Sequence, residues 1–166
     1  MCGIAGFIRT DRRPVEQAEL KKMIATLNHR GPDASGTQVS DSVGLAHSRL
    51  SIVDLAGGLQ PMQTPDGMLS VTFNGEIFNH IELRAELQQK GYQFQTHSDT
   101  EVILLMYAEY GPECVQHFNG QWAFAIHDRR KQEVFLSRDR MGIRPLVYTQ
   151  TPSRFCFASE IKALFA

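Results

Sequence analysis

Met1-Cys2-Gly3-Ile4 is the stretch around which the rest of the sequence is organised. Removal of the initiator methionine, which a small second residue favours, would leave Cys2 with both a thiol and a free α-amine. A thiol is a good nucleophile only as the thiolate. An α-amine has a pKa of roughly 7.7 to 8.0, so near neutral pH part of it is free base and can accept the thiol proton. By itself, a cysteine at this position is more often a small buried residue at the start of a strand.

The composition indicates one globular domain with a substantial core, because 42% of the 166 residues are hydrophobic and 21% are charged. The 17 basic and 18 acidic residues leave a formal net charge of -1. Neither a basic surface for nucleic acid nor a polybasic tract for a membrane is indicated. No apolar run approaches the ~18 residues of a membrane span, and the N-terminus does not resemble a signal peptide. We therefore expect a cytoplasmic protein that binds neither nucleic acid nor a membrane.

The three cysteines, Cys2, Cys114 and Cys156, are too few and too scattered to predict a disulfide framework. A reducing compartment fits that pattern. The six histidines show neither an HxxxH nor an HExxH spacing. We therefore expect no metal site.

Residue periodicity predicts an α+β chain. Leu20, Met23, Ile24 and Leu27 recur at the spacing of an amphipathic helix that ends near His29. Strands are predicted at residues 3–9, 35–40, 43–48, 68–73, 121–128, 134–138 and 155–158. Helices packed outside layers of antiparallel sheet account for this grouping.

Two capping-box patterns predict the starts of further helices. They are formed by Asn79 with Glu82 and by Ser98 with Glu101. In the second helix, the simplest interpretation of Asp99 is favourable placement of a negative charge near a helix N-terminus. A binding role for Asp99 requires independent support.

Three segments are predicted to be irregular. Residues 55–67 are rich in Gly, Pro and Gln and form a long loop that closes at Pro65-Asp66-Gly67. Such loops are uncommon unless they carry function. Arg30-Gly31-Pro32-Asp33 reads as a turn. Residues 138–145 form a charged loop whose opposite charges are expected to fix its shape.

Eight motifs follow one another along the whole chain. They are Met-Cys-Gly-Ile-Ala-Gly at 1–6, His-Arg-Gly-Pro-Asp at 29–33, Ala-His-Ser-Arg-Leu-Ser-Ile-Val-Asp at 46–54, Gln-Pro-Met at 60–62, Phe-Asn-Gly-Glu-Ile-Phe-Asn at 73–79, Ser-Asp-Thr-Glu at 98–101, Arg-Asp-Arg-Met-Gly-Ile-Arg-Pro-Leu at 138–146 and Ala-Ser-Glu-Ile-Lys-Ala-Leu at 158–164. Each motif is weak, but the ordered set is specific. It resembles the class II glutamine amidotransferase domain, in the form found as the glutaminase half of glutamine-hydrolysing asparagine synthetases. The resemblance favours functional roles for Cys2, Arg49 and Asp99.

The resemblance implies that residues 1–166 form a single glutaminase domain with the N-terminal-nucleophile fold, a four-layer αββα sandwich with two antiparallel sheets. It also implies that Cys2 attacks the side-chain amide of L-glutamine and that its amine carries the proton to the departing ammonia. Water then hydrolyses the glutamyl thioester. The side-chain amide of Asn74 and the backbone N–H of Gly75 would form the oxyanion hole.

Glutamine is a zwitterion, so its site needs one cation and one anion. Arg49 suits the α-carboxylate because its planar guanidinium can donate two parallel hydrogen bonds. Asp99 suits the α-ammonium. The remaining implied pocket residues are Leu50, Ser51, Ile52, Val53 and Glu76, with Asn74 and Gly75.

The synthetase part of that family, which activates aspartate with ATP and receives the ammonia, is absent from this sequence. The chain stops at Leu164-Phe165-Ala166, inside an apolar helix-like segment, so we expect a domain separated from a longer protein. No cofactor is expected in this domain, since ATP and Mg would belong to the C-terminal synthetase domain. The sequence leaves the oligomeric state open, a homodimer included.

Two other interpretations stay open. If Met1 is retained, the nitrogen of Cys2 is an amide without basicity, and the chain would be a non-catalytic glutamine-binding module. Alternatively, the glutaminase supplies ammonia to an acceptor other than aspartate. Glutamate release from glutamine separates the first alternative from the main prediction, whereas nothing in the residues excludes the second.

Overall fold

The computed structural model describes residues 1–11, 13–50 and 58–166 and contains two antiparallel sheets. The first sheet has five strands. In spatial order they are β2 (Ala34–Ser40), β3 (Val43–Arg49), β1 (Gly3–Arg9), β9 (Arg154–Ala158) and β8 (Val147–Gln150). The strand that follows Cys2 is therefore central in its sheet.

The second sheet has four strands. In spatial order they are β4 (Met62–Gln63), β5 (Leu69–Ile77), β6 (Gly120–Asp128) and β7 (Glu133–Arg138). The two residues of β4 pair only with Ser70 and Val71 of β5. Within the described ranges, the later part of β5 therefore has a strand partner on one side only.

Three helices complete the architecture. They are α1 (Gln17–Ala25), α2 (His80–Gln89) and α3 (Asp99–Tyr110), and short 3-10 helices follow at Gly111–Gln116 and Ile161–Phe165. None of the helices in the described ranges is long and apolar enough to cross a bilayer.

The core has three apolar groups that define four layers. Leu20, Met23 and Ile24 of α1 pack on the outer face of the first sheet. The helices α2 and α3 pack on the outer face of the second sheet. Between the sheets lie Val43, Leu45, Ala125 and Phe157. The predicted four-layer αββα sandwich is thus confirmed.

Strand β6 is buried on both faces, as its sequence predicts. Trp122, Phe124 and Ile126 belong to the apolar group under the helices, whereas Ala125 belongs to the group between the sheets. Small side chains on the inner face let the two sheets approach each other.

Each of the seven predicted strands is present, but β4 and β8 were not predicted. β8 is a largely exposed edge strand, with Tyr148 at 70%, so no buried apolar run marks it in the sequence. The first helix is shorter than predicted, since α1 ends at Ala25 and hydrogen-bonded turns continue to Arg30. The predicted loop at 55–67 is described only from Gly58 onward, where it contains β4 and ends in the expected turn, with the Gly67 N–H donating to the Thr64 carbonyl at 2.8 Å.

The capping box predicted for α2 is wrong. Asn79 occupies the N-cap position but makes no capping hydrogen bond. Its side chain instead donates to the carbonyl of His117 at 2.9 Å and accepts from the N–H of Asn119 at 2.9 Å. Asn79 therefore joins α2 to the segment before β6.

The second capping box is only half correct. Ser98 caps α3, because its hydroxyl oxygen accepts from the Thr100 N–H at 3.2 Å. The Glu101 carboxylate accepts from the backbone N–H groups of Gln95 and Thr96 at 2.8 and 2.7 Å. Glu101 thereby fixes the segment that leads into the helix.

The charged loop at 138–145 is held by side chain-to-backbone hydrogen bonds, and not by the pairing of opposite charges that we predicted. The Asp139 carboxylate accepts from the N–H groups of Met141, Ile143 and Arg144 at 2.9 to 3.1 Å, and from Trp122 at 3.3 Å. Burial alone would raise the pKa of Asp139, but these backbone donors together lower it. The loop places Arg144 beside the pocket described next.

Candidate active site

Cys2 lies immediately before β1, at the end of the first sheet. Its half-buried thiol is 3.4 Å from the Leu50 N–H nitrogen and 3.6 Å from the Leu50 carbonyl oxygen. Its own carbonyl accepts a hydrogen bond from Nε of Arg30 at 2.9 Å. Both the backbone and the side chain of Cys2 are therefore held in place.

Arg30 is fixed in turn by Glu160. The guanidinium donates to the Glu160 carboxylate at 2.8 Å, and only 9% of the Arg30 side chain is exposed. This arginine, with smaller contributions from Lys162 and His29, lowers the pKa of Glu160 to about 2. The Arg30–Glu160 ion pair links the turns after α1 to the segment that follows β9.

A pocket next to Leu50 brings most of the predicted binding residues together. Its lining includes Arg49, Leu50, Gly75, Glu76 and Asp99. With Arg144, which also lines it, the pocket offers two guanidinium groups and two carboxylates around a backbone glycine. The predicted residues Ser51, Ile52 and Val53 lie outside the described part of the chain.

The pocket lining also includes residues that were not predicted, among them Gln60 and Arg144. Both belong to motifs that support the family resemblance, Gln-Pro-Met and the segment at 138–146. The two motifs pointed to the family, but no local property of Gln60 or Arg144 indicated that the residue lines a pocket.

Asn74 carries a buried donor that has no partner among the described residues. It is 1% exposed, and its side-chain nitrogen makes no hydrogen bond with any described residue. A buried polar group without a partner costs about 1–3 kcal/mol, so such groups are rare unless they serve a function. The described residues therefore leave the hydrogen-bonding capacity of the Asn74 amide nitrogen unused.

The N–H of Gly75 faces the edge of β5 that lies away from β6. Two residues on either side, the Phe73 N–H donates to Oε1 of Gln60 at 2.6 Å and the Ile77 N–H donates to the Asp99 carboxylate at 3.1 Å. Alternate residues of a strand direct their N–H groups to the same side. The Gly75 N–H thus points between Gln60 and Asp99, toward the pocket.

The packing of β5 against β6 requires a glycine at position 75. A Cβ atom at this position would lie 2.1 Å from the carbonyl oxygen of Gln121. Because β5 and β6 approach so closely here, only glycine fits without a backbone shift.

Asp99 and Arg49 are both 6% exposed at the pocket. Asp99 is the first residue of α3, and one of its oxygens is bonded by Ile77. Burial raises the pKa of Asp99, and the hydrogen bond from Ile77 partly offsets this. A cation bound at this carboxylate would stabilise its charged form.

His47 lies behind the pocket between the two sheets. It is 1% exposed, and its Nε2 donates to the Phe73 carbonyl at 3.1 Å. Burial, reinforced by the charge of Arg49, lowers the pKa of His47 to about 4. The imidazole is therefore neutral at neutral pH.

Acid is expected to destabilise the wild type by about 3 kcal/mol more than a His47→Gln variant between pH 7 and 4. The folded pKa of His47 is about 4, below its ordinary 6.5. Between these values the unfolded chain binds a proton that the folded chain does not. The contribution is complete above about pH 6.5 and is lost as the pH falls toward 4. Urea unfolding of both proteins across this range measures the difference, and parallel curves would contradict it.

Among the residues in the described ranges, no group of three or more His, Cys, Asp or Glu side chains is placed to hold a metal ion. The site as described thus consists of a thiol, a buried amide, backbone N–H groups and ionised side chains.

Comparison with solved structures shows the same fold. The glutamine phosphoribosylpyrophosphate amidotransferase from Bacillus subtilis aligns with a TM-score of 0.80 at 20% identity, covering 99% of this chain and 43% of that one. A structure described as the allosteric regulatory enzyme of purine biosynthesis aligns with a TM-score of 0.82 at 21% identity, with the same coverage. This likeness supports the N-terminal-nucleophile architecture.

Sequence comparison gives closer relatives. The chain is 43% identical over 169 residues to asparagine synthetase [glutamine-hydrolyzing] 3 of Bacillus subtilis, and 44% identical over 167 residues to asparagine synthetase B of Escherichia coli. It spans 28% and 30% of the lengths of these two proteins. A family model described as the glutamine amidotransferase domain matches residues 1–166. The chain therefore belongs to the glutamine amidotransferase domain family.

Proposed function

We propose that this domain hydrolyses L-glutamine to glutamate and ammonia, and that the ammonia serves asparagine synthesis in a synthetase domain. The observation that carries the proposal is the buried Asn74 amide nitrogen, which has no partner in the described part of the chain, beside a pocket lined by Arg49 and Asp99. A thiol, a donor pair for an oxyanion and a charge pair for a zwitterion are the groups that this hydrolysis requires.

The chemistry begins after removal of Met1. The free amine of Cys2 accepts the thiol proton, and the thiolate attacks the side-chain carbonyl carbon of glutamine. Asn74 and the Gly75 N–H donate to the oxyanion that forms. When the intermediate collapses, the C–N bond breaks, and the amine returns its proton to the departing ammonia. Water, deprotonated by the same amine, then hydrolyses the thioester and regenerates Cys2.

The pocket orients the substrate through its other end. Arg49 binds the α-carboxylate, and Asp99 binds the α-ammonium through a charge-assisted hydrogen bond. Leu50 and Glu76 line the same pocket. Ser51, Ile52 and Val53 complete the predicted set. An amino acid without a side-chain amide at the right distance would occupy the pocket without reaching Cys2.

The relatives suggest the fate of the ammonia. Both are named as glutamine-hydrolysing asparagine synthetases, and this chain corresponds to less than a third of each. We therefore place the acceptor, aspartate activated with ATP and Mg, in a separate C-terminal synthetase domain. The glutaminase domain itself needs no cofactor for the steps above. A cytoplasmic location fits this role.

The test of the proposal uses protein whose loss of Met1 is verified by intact mass. Incubation with L-glutamine is expected to release glutamate and ammonia in equal amounts, whereas D-glutamine and L-asparagine remain intact. A correctly processed sample that binds L-glutamine but releases no glutamate would instead identify a binding module.

Asp99→Asn is expected to raise the KM for glutamine about 10- to 100-fold while kcat changes less than about threefold. The substitution keeps the shape and the acceptor for Ile77 but removes the charge that pairs with the substrate ammonium, an interaction of about 1.5–3 kcal/mol. Steady-state glutamate release measures both constants.

Glu82→Gln is the matched control for Asp99. Glu82 also lies in the first turn of a helix, but it is exposed and outside the pocket. Its variant should keep the wild-type KM. Equal KM values for wild type and Asp99→Asn would remove Asp99 from the binding site.

A further inference from the structure

The backbone of Phe73 is held by two side chains instead of a neighbouring strand. The first residue of β4, Met62, pairs with Val71 of β5, and no strand among the described residues covers the edge at Phe73. Oε1 of Gln60 accepts from the Phe73 N–H at 2.6 Å, and Nε2 of His47 donates to the Phe73 carbonyl at 3.1 Å. Both polar groups of this residue are thereby fixed from outside the sheet.

The position of the Phe73 backbone determines how the next two residues, Asn74 and Gly75, direct their donor groups. Its carbonyl belongs to the peptide that joins it to Asn74, so the orientation of that peptide plane sets the direction in which the Asn74 side chain leaves the strand. The Asn74 amide nitrogen bonds to no described residue that could orient it instead. An error of about 1 Å at such a group can reduce the rate about 10²-fold.

His47 also connects the two halves of the site. It lies on β3, directly opposite Ile4 of β1, the strand that follows Cys2. Its hydrogen bond reaches across the sandwich to β5, which carries Asn74 and Gly75. Because a carbonyl oxygen can only accept, Nε2 must carry the hydrogen, and one tautomer of His47 is selected.

We propose that His47 is a positioning residue for the oxyanion hole, and that together with Gln60 it clamps Phe73 so that Asn74 and Gly75 are aimed at the carbonyl attacked by Cys2. The inference rests on the proposed glutaminase function. It assigns His47 no proton transfer and no contact with the substrate. Its effect is therefore on kcat, because the oxyanion exists only after substrate is bound.

Substitutions at His47 distinguish the loss of its hydrogen bond to Phe73 from the loss of side-chain volume. His47→Leu removes the donor. His47→Gln keeps an N–H donor three bonds beyond Cβ, as in Nε2 of histidine, whereas His47→Asn shortens the side chain so that its amide falls short of Phe73. The matched control is His127→Leu, because His127 is a second buried histidine, 5% exposed, in a cavity with Ile8 and Val43 at the other end of the sheets.

We expect His47→Leu to lower kcat for glutamate release at least about tenfold, with KM within about threefold of wild type. His47→Gln should recover most of the loss, His47→Asn should not, and His127→Leu should match wild type in kcat. Thermal unfolding of all variants identifies any that fail to fold. If His47→Leu does not fold, the comparison of Gln with Asn decides the question.

A second readout follows Cys2 directly. A glutamine analogue with a diazomethyl ketone in place of the amide presents a carbonyl to the oxyanion hole, whereas iodoacetamide alkylates the thiol without using that site. His47→Leu should slow labelling by the analogue at least about tenfold and leave labelling by iodoacetamide unchanged.

Several results would overturn the inference while leaving the glutaminase intact. They are equal kcat for the Gln and Asn variants, a rise in KM that accounts for the whole loss, or an equal loss in His127→Leu. A processed wild-type protein that releases no glutamate and shows no preferential labelling by the analogue would overturn the proposed function, and this inference with it.

Discussion

Cys2→Ala is expected to lower the rate of glutamate release from glutamine at least about 10⁴-fold, because no other group in the mechanism can form the thioester. The fold should survive the change. The thiol makes contacts only with Leu50 among the described hydrogen-bond partners, and Arg30 holds Cys2 through its backbone carbonyl, which alanine retains. A coupled glutamate assay and a thermal unfolding curve on the same sample measure both expectations.

Cys156→Ala is the matched control for the nucleophile. Cys156 lies in the core of the first sheet, 5% exposed, and burial raises the pKa of its thiol. It is therefore a poor nucleophile, and its loss should leave kcat near the wild-type value. Measurable turnover by Cys2→Ala, or an equal loss in both variants, would exclude the proposed mechanism.

The role of the free amine can be tested apart from the thiol. An N-terminal extension that cannot be processed keeps Cys2 but converts its nitrogen into an amide. General acid–base catalysis contributes about 10²- to 10⁴-fold, so kcat should fall by at least that lower figure. Full activity of the extended protein would show that another base serves Cys2.

Most of the fold could be predicted because its central strands are apolar runs that are buried in the sandwich. In β6 the large side chains face the helices and the alanines face the other sheet, a pattern visible in the sequence. β8 has no such pattern, since it is an exposed edge strand. The capping role predicted for Asn79 failed because tertiary partners at His117 and Asn119 bind its side chain instead. A local motif could not reveal them.

The residues of the candidate site also fall into those that the sequence indicates and those that it does not. Cys2, Arg49 and Asp99 could be proposed from the sequence because the residue type and the motif of each one suggest a chemical role. His47 and Gln60 act on the backbone of Phe73, which lies 26 and 13 residues away in the chain. Contacts of this kind depend on how the sheets stack and where β4 ends. Neither the periodicity of the sequence nor the spacing of its motifs indicates such contacts.

Asn74→Ala is expected to lower kcat for glutamate release about 10²- to 10³-fold, the usual effect of losing one oxyanion-hole donor, with KM within about threefold of wild type. Its effect on stability should be small. The Asn74 amide nitrogen is buried without a described partner, so removing it breaks no donor hydrogen bond of the folded chain and relieves a desolvation penalty. Steady-state kinetics and urea unfolding measure the two quantities.

Thr72→Val provides the reciprocal control two residues earlier on β5. Thr72 is fully buried, and its hydroxyl donates to the Ala46 carbonyl across the sandwich at 3.0 Å. Valine keeps the shape but removes this hydrogen bond, which should cost about 0.5–1.5 kcal/mol of unfolding free energy with kcat unchanged. Asn74 would thus serve catalysis and contribute little to stability, whereas Thr72 would contribute to stability and not to catalysis. A large loss of stability with unchanged kcat in Asn74→Ala would make Asn74 a structural residue and leave the oxyanion without its side-chain donor.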